Sequence, residues 1–590
     1  MSEYSSEYPI NAPPVMKVQV LRLASVQDRP TRIQIALWAL ILILMVAISV
    51  YHYDYYQFGT HIDDSRYAIL ARSLLSSSTY GMINVPGAPI AGKYPFGYPL
   101  LLLPSMVLYP SNLDAIKVPS LIATILIVTI LFWGWQWFYN RKSYWWGLAV
   151  CGLYALAPMS IDHTRRVMSE PVFTFFCLLS ILLAEMFVRG KQIRGWSIAM
   201  SVALTFAAFS RSIGIVLVIA VFAYMLVMRG RRAWVPVAGI ILQIGLLASL
   251  VLIFTPVQLN DLVPRGYLKD ENARFIVAFF SRAQSGRDAN PALTEANVSP
   301  AVDGAEISSS PQVLSPQVLI AYGIKQHIGR DLRGVAFPFG GGSREQKLAT
   351  RLGFPMLPQV IGYFVSGLII LGFIRLLRRE ISSLFLLFAV LYFGVIFLWI
   401  WNDPRLLYPI QPQIFLGLIS GIEGIFLWIS RPLSRRNYSD RSINIALASI
   451  VAFLLFASAY KSSVIQDSRL HTGDLGVRTS WFTTFSTPED ILMTEEPETD
   501  YIYSGRMTVP YPSLVSSVER LEDYLLSNRI NYVLVAPVTD WQDRVQPVYS
   551  DNARRLLPML EGLTLANRLH QVYSSEQDDI RIFQVLSLVE

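Results

Sequence analysis

The run IQIALWALILILMVAISV, from Ile33 to Val50, contains no charged residue. A helix needs about 20 such residues to cross the hydrocarbon core of a bilayer. Comparable apolar stretches recur at 115–138, 144–158, 170–188, 196–210, 212–228, 236–256, 356–375, 383–401, 408–428 and 443–460, which predicts eleven spans. Only 15% of the 590 residues are charged and 53% are hydrophobic, where a soluble chain carries roughly a quarter charged residues. The fold class expected is therefore an α-helical polytopic membrane protein.

The first run lacks a small-residue cleavage site and continues into the aromatic belt YHYDYY, so it reads as an uncleaved span. Basic residues then set the sidedness. Arg141 and Lys142, Arg189/Lys191/Arg194, Arg229/Arg231/Arg232, Arg375/Arg378/Arg379 and Arg431/Arg435/Arg436 fall on alternate connections. With eleven spans these lie on the side of the N-terminus, which the positive-inside rule makes the cytoplasm. The expected location is a bacterial plasma (inner) membrane.

This divides the chain into a cytoplasmic segment 1–32, a transmembrane domain 33–460 with outer loops 51–114 and 257–355, and an extracytoplasmic domain 461–590. Gly340–Gly342, in FPFGGGS, reads as a surface turn of the second loop. In the tail, ILMT (491–494), DYIYSG (500–505), NYVLVAP (531–537) and IRIFQVL (580–586) read as strands. Helical patterns at 513–528 and 552–561 complete a small α/β domain. Cys151 and Cys177 lie in apolar runs and form no disulfide framework, and six scattered histidines offer no zinc spacing. The net charge of +7 follows membrane topology and calls for no nucleic acid.

Chemistry concentrates at the outer ends of the spans. In HIDDSRYAILARSLL (61–75), Tyr67, Leu70, Ala71, Leu74 and Leu75 recur at helical spacing, as in an amphipathic helix lying on the membrane surface. Asp63 and Asp64 open it, one readable as an N-cap and the other as a complement to the helix dipole. GKYPFGYP (92–99) places Lys93 among prolines and aromatics, a position that also suits an interfacial, snorkelling lysine. DHTRRVMSEPVFTFF (162–176) sets Arg165 and Arg166 on the outer side without evident compensation, ahead of Glu170 at a helix start. Arg211 in FSRSIG and Asp403/Arg405 in WNDPRLLYPIQP border two further spans. Ionisable residues in such places are costly and often functional. A cavity acidic at one point and cationic around it suits a phosphate-bearing lipid and a reacting hydroxyl.

DDSRYA (63–68), KYPFGYP (93–99), RVMSEPVF (166–173) and RLLYPIQP (405–412), in that order and on one side, resemble the GT-C class of integral membrane glycosyltransferases. The pattern is similar to that of lipid A aminoarabinose transferases and protein O-mannosyltransferases, and YIYSGRMTVPYP (501–512) is similar to the tails of bacterial members. The first acid pair is Asp-Asp rather than the commoner Asp-Glu, and Glu170 stands where some members use aspartate.

The resemblance implies transfer of a sugar, with inversion, from a polyprenyl monophosphate to an acceptor hydroxyl on an envelope glycan, lipid or protein. It implies that Asp63 is the base, that Asp64 orients the site, and that Glu170 positions the acceptor. Arg66 and Lys93 would bind the phosphate, with Arg165, Arg166, Arg211 and Arg405 as further donor contacts and Tyr67, Tyr98 and Tyr408 beside them. No cofactor is required, although Asp63 and Glu170 offer hard oxygen ligands to a divalent cation such as magnesium or manganese. The competing readings are a lipid or polysaccharide transporter and a non-catalytic membrane assembly protein.

Overall fold

The first apolar run forms the helix Arg32–Tyr51, and its start is closed reciprocally. Thr31 Oγ1 accepts from the Gln34 amide at 3.3 Å and Gln34 Oε1 from the Thr31 amide at 2.9 Å, a capping box that satisfies two orphan donors. The structure is a computed structural model that describes residues 29–76, 80–89, 94–110, 112–139, 144–190, 195–257, 323–336, 349–380, 383–397, 403–433, 440–465, 475–512, 517–537, 549–576 and 578–586. The expected turn at Gly340–Gly342 and most of the 257–355 loop lie outside them.

Among the described residues, seven helical segments are long and apolar enough to cross a bilayer. They are Arg32–Tyr51, Leu113–Trp133, Ser169–Val188, Gly214–Ile253, Leu357–Arg378, Pro404–Ile429 and Asn444–Ser463. The pair Tyr144–Leu156 and Pro158–Thr164, bent by 58°, makes an eighth if counted as one span. The expectation of eleven is thus reduced, for three reasons. Gly214–Arg229 and Trp234–Phe254, matching the stretches 212–228 and 236–256, count as one segment across the turn Gly230–Ala233, Trp196–Ser210 has only 15 residues, and the described part of the 383–401 stretch is the 14-residue helix Leu384–Phe397. The 144–158 run breaks because Pro158 forces Ala157 into extended backbone (ψ 136°).

Ser169–Val188 is the central helix: 67% of its apolar window is buried, against 17% for Arg32–Tyr51. Around it, Trp135, Phe138, Tyr154, Phe173, Tyr392 and Tyr408 fill one continuous core. Glu185, near its far end, is not left bare. Its Oε1 accepts from the Leu384 amide at 2.9 Å and its Oε2 from the Tyr224 hydroxyl at 3.0 Å. Leu357–Glu380 and Gln411–Leu433 approach more closely than side chains would permit. A Cβ at Gly372 would run into the Gly417 carbonyl, and one at Gly421 into that of Leu368. Small residues allow such contact where no hydrophobic force drives helices together.

The C-terminal part is a mixed five-stranded sheet of order β2-β1-β3-β5-β4: β1 Ile491–Thr494, β2 Met507–Pro510, β3 Tyr532–Val535, β4 Leu569–Ser575 and β5 Ile580–Val585. β1 pairs parallel with β2 and β3, whereas β5 runs antiparallel to β3 and β4. All four β3 residues are buried because both sheet faces are covered. Val533 and Val535 face Leu521, Leu525 and Leu560, while Tyr532 and Leu534 face Phe482.

DYIYSG, expected as a strand, is instead most of the helix Pro497–Ser504. Pro497 suits the first helical turn and Gly505 ends the helix at φ +69°. As the crossover joining parallel β1 and β2, this segment cannot be a neighbouring strand.

The helix Ile62–Ser76, expected to be amphipathic, is enclosed by protein. Its polar face is not left to solvent, because Asp64, Ser65 and Ser73 are buried together with Tyr67–Ala71. Gly97–Leu108 packs on one side of it and Pro497–Ser504 on another. Replacing Gly372 with alanine should lower the melting temperature in detergent by several degrees, since overpacking costs about 1–3 kcal/mol. Gly367→Ala, where nothing lies within 4 Å, should not. Equal stability of the two variants would contradict the close helix contact.

Candidate functional site

Asp63 and Asp64 both fall in the first turn of Ile62–Ser76, where a carboxylate is favoured by the helix dipole. Consecutive helical residues point about 100° apart, so the two side chains enter different surroundings. Asp63 faces a group of cations. Its Oδ2 accepts from Arg405 Nη1 at 2.6 Å and its Oδ1 from the Tyr94 hydroxyl at 2.7 Å. Burial pushes its carboxyl up, but Arg405, Tyr94 and His61 together outweigh burial and hold it at about 2.

Asp64 has no exposed surface, and its Oδ2 accepts from the Tyr56 hydroxyl. Burial pushes it up to about 7, restrained by the Tyr56 bond and Arg166 and reinforced by the negative charge of Asp63. Asp64 therefore serves Tyr56 rather than the helix end. Its neighbour His61 is pushed down to about 3, by burial first and then by Arg166 and Arg405, so it is neutral at pH 7.

Arg405 is the hub. Asp403 aims it, with Oδ2 in an ion pair 2.5 Å from Arg405 Nε and Oδ1 accepting from the Arg405 backbone amide at 2.9 Å. Glu170 Oε1 lies 4.0 Å from Arg405 Nε and takes a closer partner in Arg211 Nη1 at 2.6 Å. Arg211 also donates to Ser169 Oγ at 3.3 Å, and the Tyr67 hydroxyl donates to the same oxygen at 2.9 Å. One connected cluster thus joins the first-loop helix, the start of Ser169–Val188, the turn before Gly214 and the turn before Gln411. Glu170 Oε2, His163 Nε2 and Arg165 Nη1 are buried near it without a hydrogen-bond partner, points where a polar ligand could bond.

The structure brings together Asp63, Arg66, Tyr67, Glu170, Arg211 and Arg405 of the residues singled out in the sequence. It places others elsewhere. Arg165 and Arg166 are not uncompensated: Asp162 pairs with them at 2.8 and 2.5 Å, and both guanidinium groups lie over the Tyr56 ring, at 5.7 and 5.0 Å. Tyr98 is core, its hydroxyl 3.1 Å from Ser120 Oγ. Tyr408 is also core, bonded to Tyr154 at 2.6 Å and stacked on His163 at 4.5 Å. Lys93 lies outside the described residues.

Arg66 has partners already: Nη1 donates to the Tyr94 hydroxyl at 2.9 Å and Nε to Glu498 at 2.7 Å. Burial works against its charge and Glu498 more than restores it. Tyr94, Tyr56, Asp162, Lys117 and Glu498 were missed as participants. Tyr94 was signalled by its place beside Lys93 and Asp162 by its spacing to two arginines. Nothing in the sequence pointed to Lys117, which is buried against the Tyr56 carbonyl at 2.6 Å and Asp114 at 2.5 Å.

The two carboxylates that offered oxygen ligands to a divalent cation share a neighbour in Arg405, whose guanidinium lies 2.6 Å from Asp63 and 4.0 Å from Glu170. Among the described residues no three His, Cys, Asp or Glu side chains gather as a ligand set.

The chain's fold matches that of GT-C membrane glycosyltransferases. The Archaeoglobus fulgidus oligosaccharyltransferase superposes with a TM-score of 0.50 at 11% identity, over 85% of this chain and 69% of its own. ArnT from Cupriavidus metallidurans bound to undecaprenyl phosphate gives a TM-score of 0.49 at 12% identity, over 93% of this chain and 98% of its own. At these identities the likeness is one of fold. A family profile for the Baculoviridae p74 conserved region matches residues 229–310, a minor part of the chain. Curated proteins provide no match.

The split between the two aspartates makes a pH prediction. A carboxyl held at about 7 in the folded state, against about 4 in the unfolded chain, binds more protons when folded. Its contribution to stability is full below about pH 4 and declines as pH rises through 7. The melting temperature of Asp64→Asn relative to wild type should therefore climb between pH 5 and pH 8. A difference that stays constant over that range would show that Asp64 is ionised throughout.

Proposed function

We propose that the protein transfers a sugar from a polyprenyl monophosphate to an acceptor hydroxyl, at the extracytoplasmic face of the membrane and with inversion. The observation that carries this reading is the Asp63 carboxylate held ionised at the meeting point of Arg405, Tyr94 and Arg66, at the end of a membrane bundle with the GT-C fold. A reaction that generates a phosphate anion and releases a proton needs both kinds of group within one site.

In the step proposed, the acceptor oxygen attacks the anomeric carbon as the bond from that carbon to the phosphate oxygen breaks. The electron pair of the broken bond goes to the phosphate, and the acceptor proton passes to Asp63. A carboxyl held at about 2 is a weak base, but it is an anion at every physiological pH. That suffices where the transition state resembles an oxocarbenium ion and the attacking hydroxyl becomes acidic only as it bonds. Arg405 then has a second task, because releasing Asp63 to the proton leaves its guanidinium near the developing phosphate charge. Glu170 keeps Arg211 oriented toward the same place.

The facing of the site follows from charge. The basic residues Arg189, Arg229, Arg231 and Arg232 close the opposite ends of Ser169–Val188 and Gly214–Arg229 from Glu170 and Arg211. The positive-inside rule puts those basic ends in the cytoplasm and the acidic cluster outside. A lipid-borne donor reaches such a site laterally through the bilayer, whereas a nucleotide sugar would be on the wrong side. The acceptor class proposed is an envelope glycan, lipid or protein.

Asp63→Asn should keep donor binding and lower turnover by at least about a hundredfold, the usual scale of a lost general base. Binding of a labelled donor and release of its sugar, measured on the same preparation, separate the two effects. Turnover at the wild-type rate would remove Asp63 from the mechanism.

A further inference from the structure

The C-terminal sheet domain reaches the site through the helix Pro497–Ser504, and only its second residue touches the chemistry. Glu498 Oε1 accepts from Arg66 Nε at 2.7 Å. Arg66 in turn is one hydroxyl removed from Asp63, through Tyr94, at 2.9 and 2.7 Å. The cation expected to meet the donor phosphate is therefore already neutralised, by a carboxylate 432 residues away in the sequence.

That carboxylate is not needed to hold the helix in place. Thr499 Oγ1 donates to the Gly59 carbonyl at 3.1 Å and lies 3.2 Å from Ser65 Oγ, and the Tyr503 hydroxyl donates to the Phe58 carbonyl at 2.7 Å. Ile502 packs in one apolar cluster with Phe58, Tyr67 and Tyr98. Gly59 makes the seat possible: at φ +86° it favours glycine, and a Cβ there would lie 3.0 Å from Thr499 Cγ2. Farther along, the Thr508 amide donates to the Asn84 carbonyl at 2.6 Å, closing the outer edge of β2 on the first loop. From behind, Arg478 clamps Glu496 and Asp500 at 2.7 and 2.6 Å. The docking is over-determined, and the Glu498 side chain hangs from a fixed helix beside a fixed arginine.

We propose that Glu498 is a resident carboxylate of the donor site, occupying Arg66 until a lipid phosphate exchanges with it. This rests on the lipid-phosphate reading above and gives the C-terminal domain a direct part in donor binding. The pair is open on the arginine side, where the Arg66 side chain is 34% exposed against 12% for Glu498, so a ligand can approach the guanidinium without displacing the helix. The exchange is also chemically matched. A sugar phosphodiester carries one negative charge, as the carboxylate does, while the monoester left after transfer approaches two at neutral pH. Arg66 therefore gains least from the intact donor and most from the departing phosphate, and the carboxylate excludes uncharged lipids from the same place.

The test is binding of a sugar-free polyprenyl monophosphate to the full-length protein in lipid nanodiscs, for wild type, Glu498→Gln, Arg66→Ala and the double variant. Glu498→Gln should bind several-fold tighter and Arg66→Ala several-fold weaker, and in the Arg66→Ala background the glutamine should have no further effect. Glu498→Asp, which keeps the charge on a shorter stem, should fall between wild type and the glutamine variant and checks the result if the latter is poorly folded. Equal binding by wild type and Glu498→Gln would overturn the exchange while leaving the donor reading intact. Tighter binding that persists without Arg66 would also overturn it. Failure of every form to bind would remove the donor reading, and the exchange with it.

Discussion

Everything at the acidic end of the bundle depends on one shared guanidinium. Arg405 pairs with Asp63 across 342 residues of sequence, lies within reach of Glu170, and is itself aimed by Asp403. A charge out of water is tolerable only when paired and hydrogen-bonded, so these contacts dictate how the first loop, the central helix and the turn before Gln411 must meet. The same requirement recurs one layer out, where Arg211 answers Glu170, Asp162 answers two arginines, and Glu498 answers Arg66. The site is a set of counter-ions that hold three distant segments and a separate domain together.

Within that set, adjacency in sequence produces opposite chemistry. Asp63 looks into cations and is held at about 2, while Asp64, one residue on, meets a tyrosine in a sealed interior and is held at about 7. Two carboxyls whose surroundings push them apart is the arrangement by which a site obtains one anion and one neutral acid at a single pH. The fully buried member cannot touch a substrate, so its effect is exerted through Tyr56 and the arginines stacked on that ring. Asp63, at the surface of the cluster, is the member available to a ligand.

The sequence was legible where physics is local. Long apolar runs identify membrane helices, although not how a proline divides one or where a short turn such as Gly230–Ala233 interrupts two. DDSRYA and RLLYPIQP marked the residues that form the hub because ionisable residues bordering membrane spans are costly. The partners were harder to read. Arg165 and Arg166 looked uncompensated because a single aspartate three and four residues away serves both, a pairing that depends on the short helix Pro158–Thr164. Tyr98 and Tyr408 belong to motifs that carry site residues, yet their rings pack inward. Glu498 had no signal, since its importance comes from tertiary docking around Gly59, and DYIYSG has strand-like composition but is placed as a crossover helix by the parallel strands on either side.

The most direct test of the central claim is sugar transfer by the purified protein from a panel of labelled polyprenyl-monophosphate sugars, with envelope extract supplied as acceptor. The account predicts that one donor is turned over, that the label appears on an acceptor with inverted anomeric configuration, and that free polyprenyl monophosphate accumulates in step. Binding of donors without transfer to any acceptor, or transfer that proceeds with retention, would contradict a single displacement assisted by Asp63.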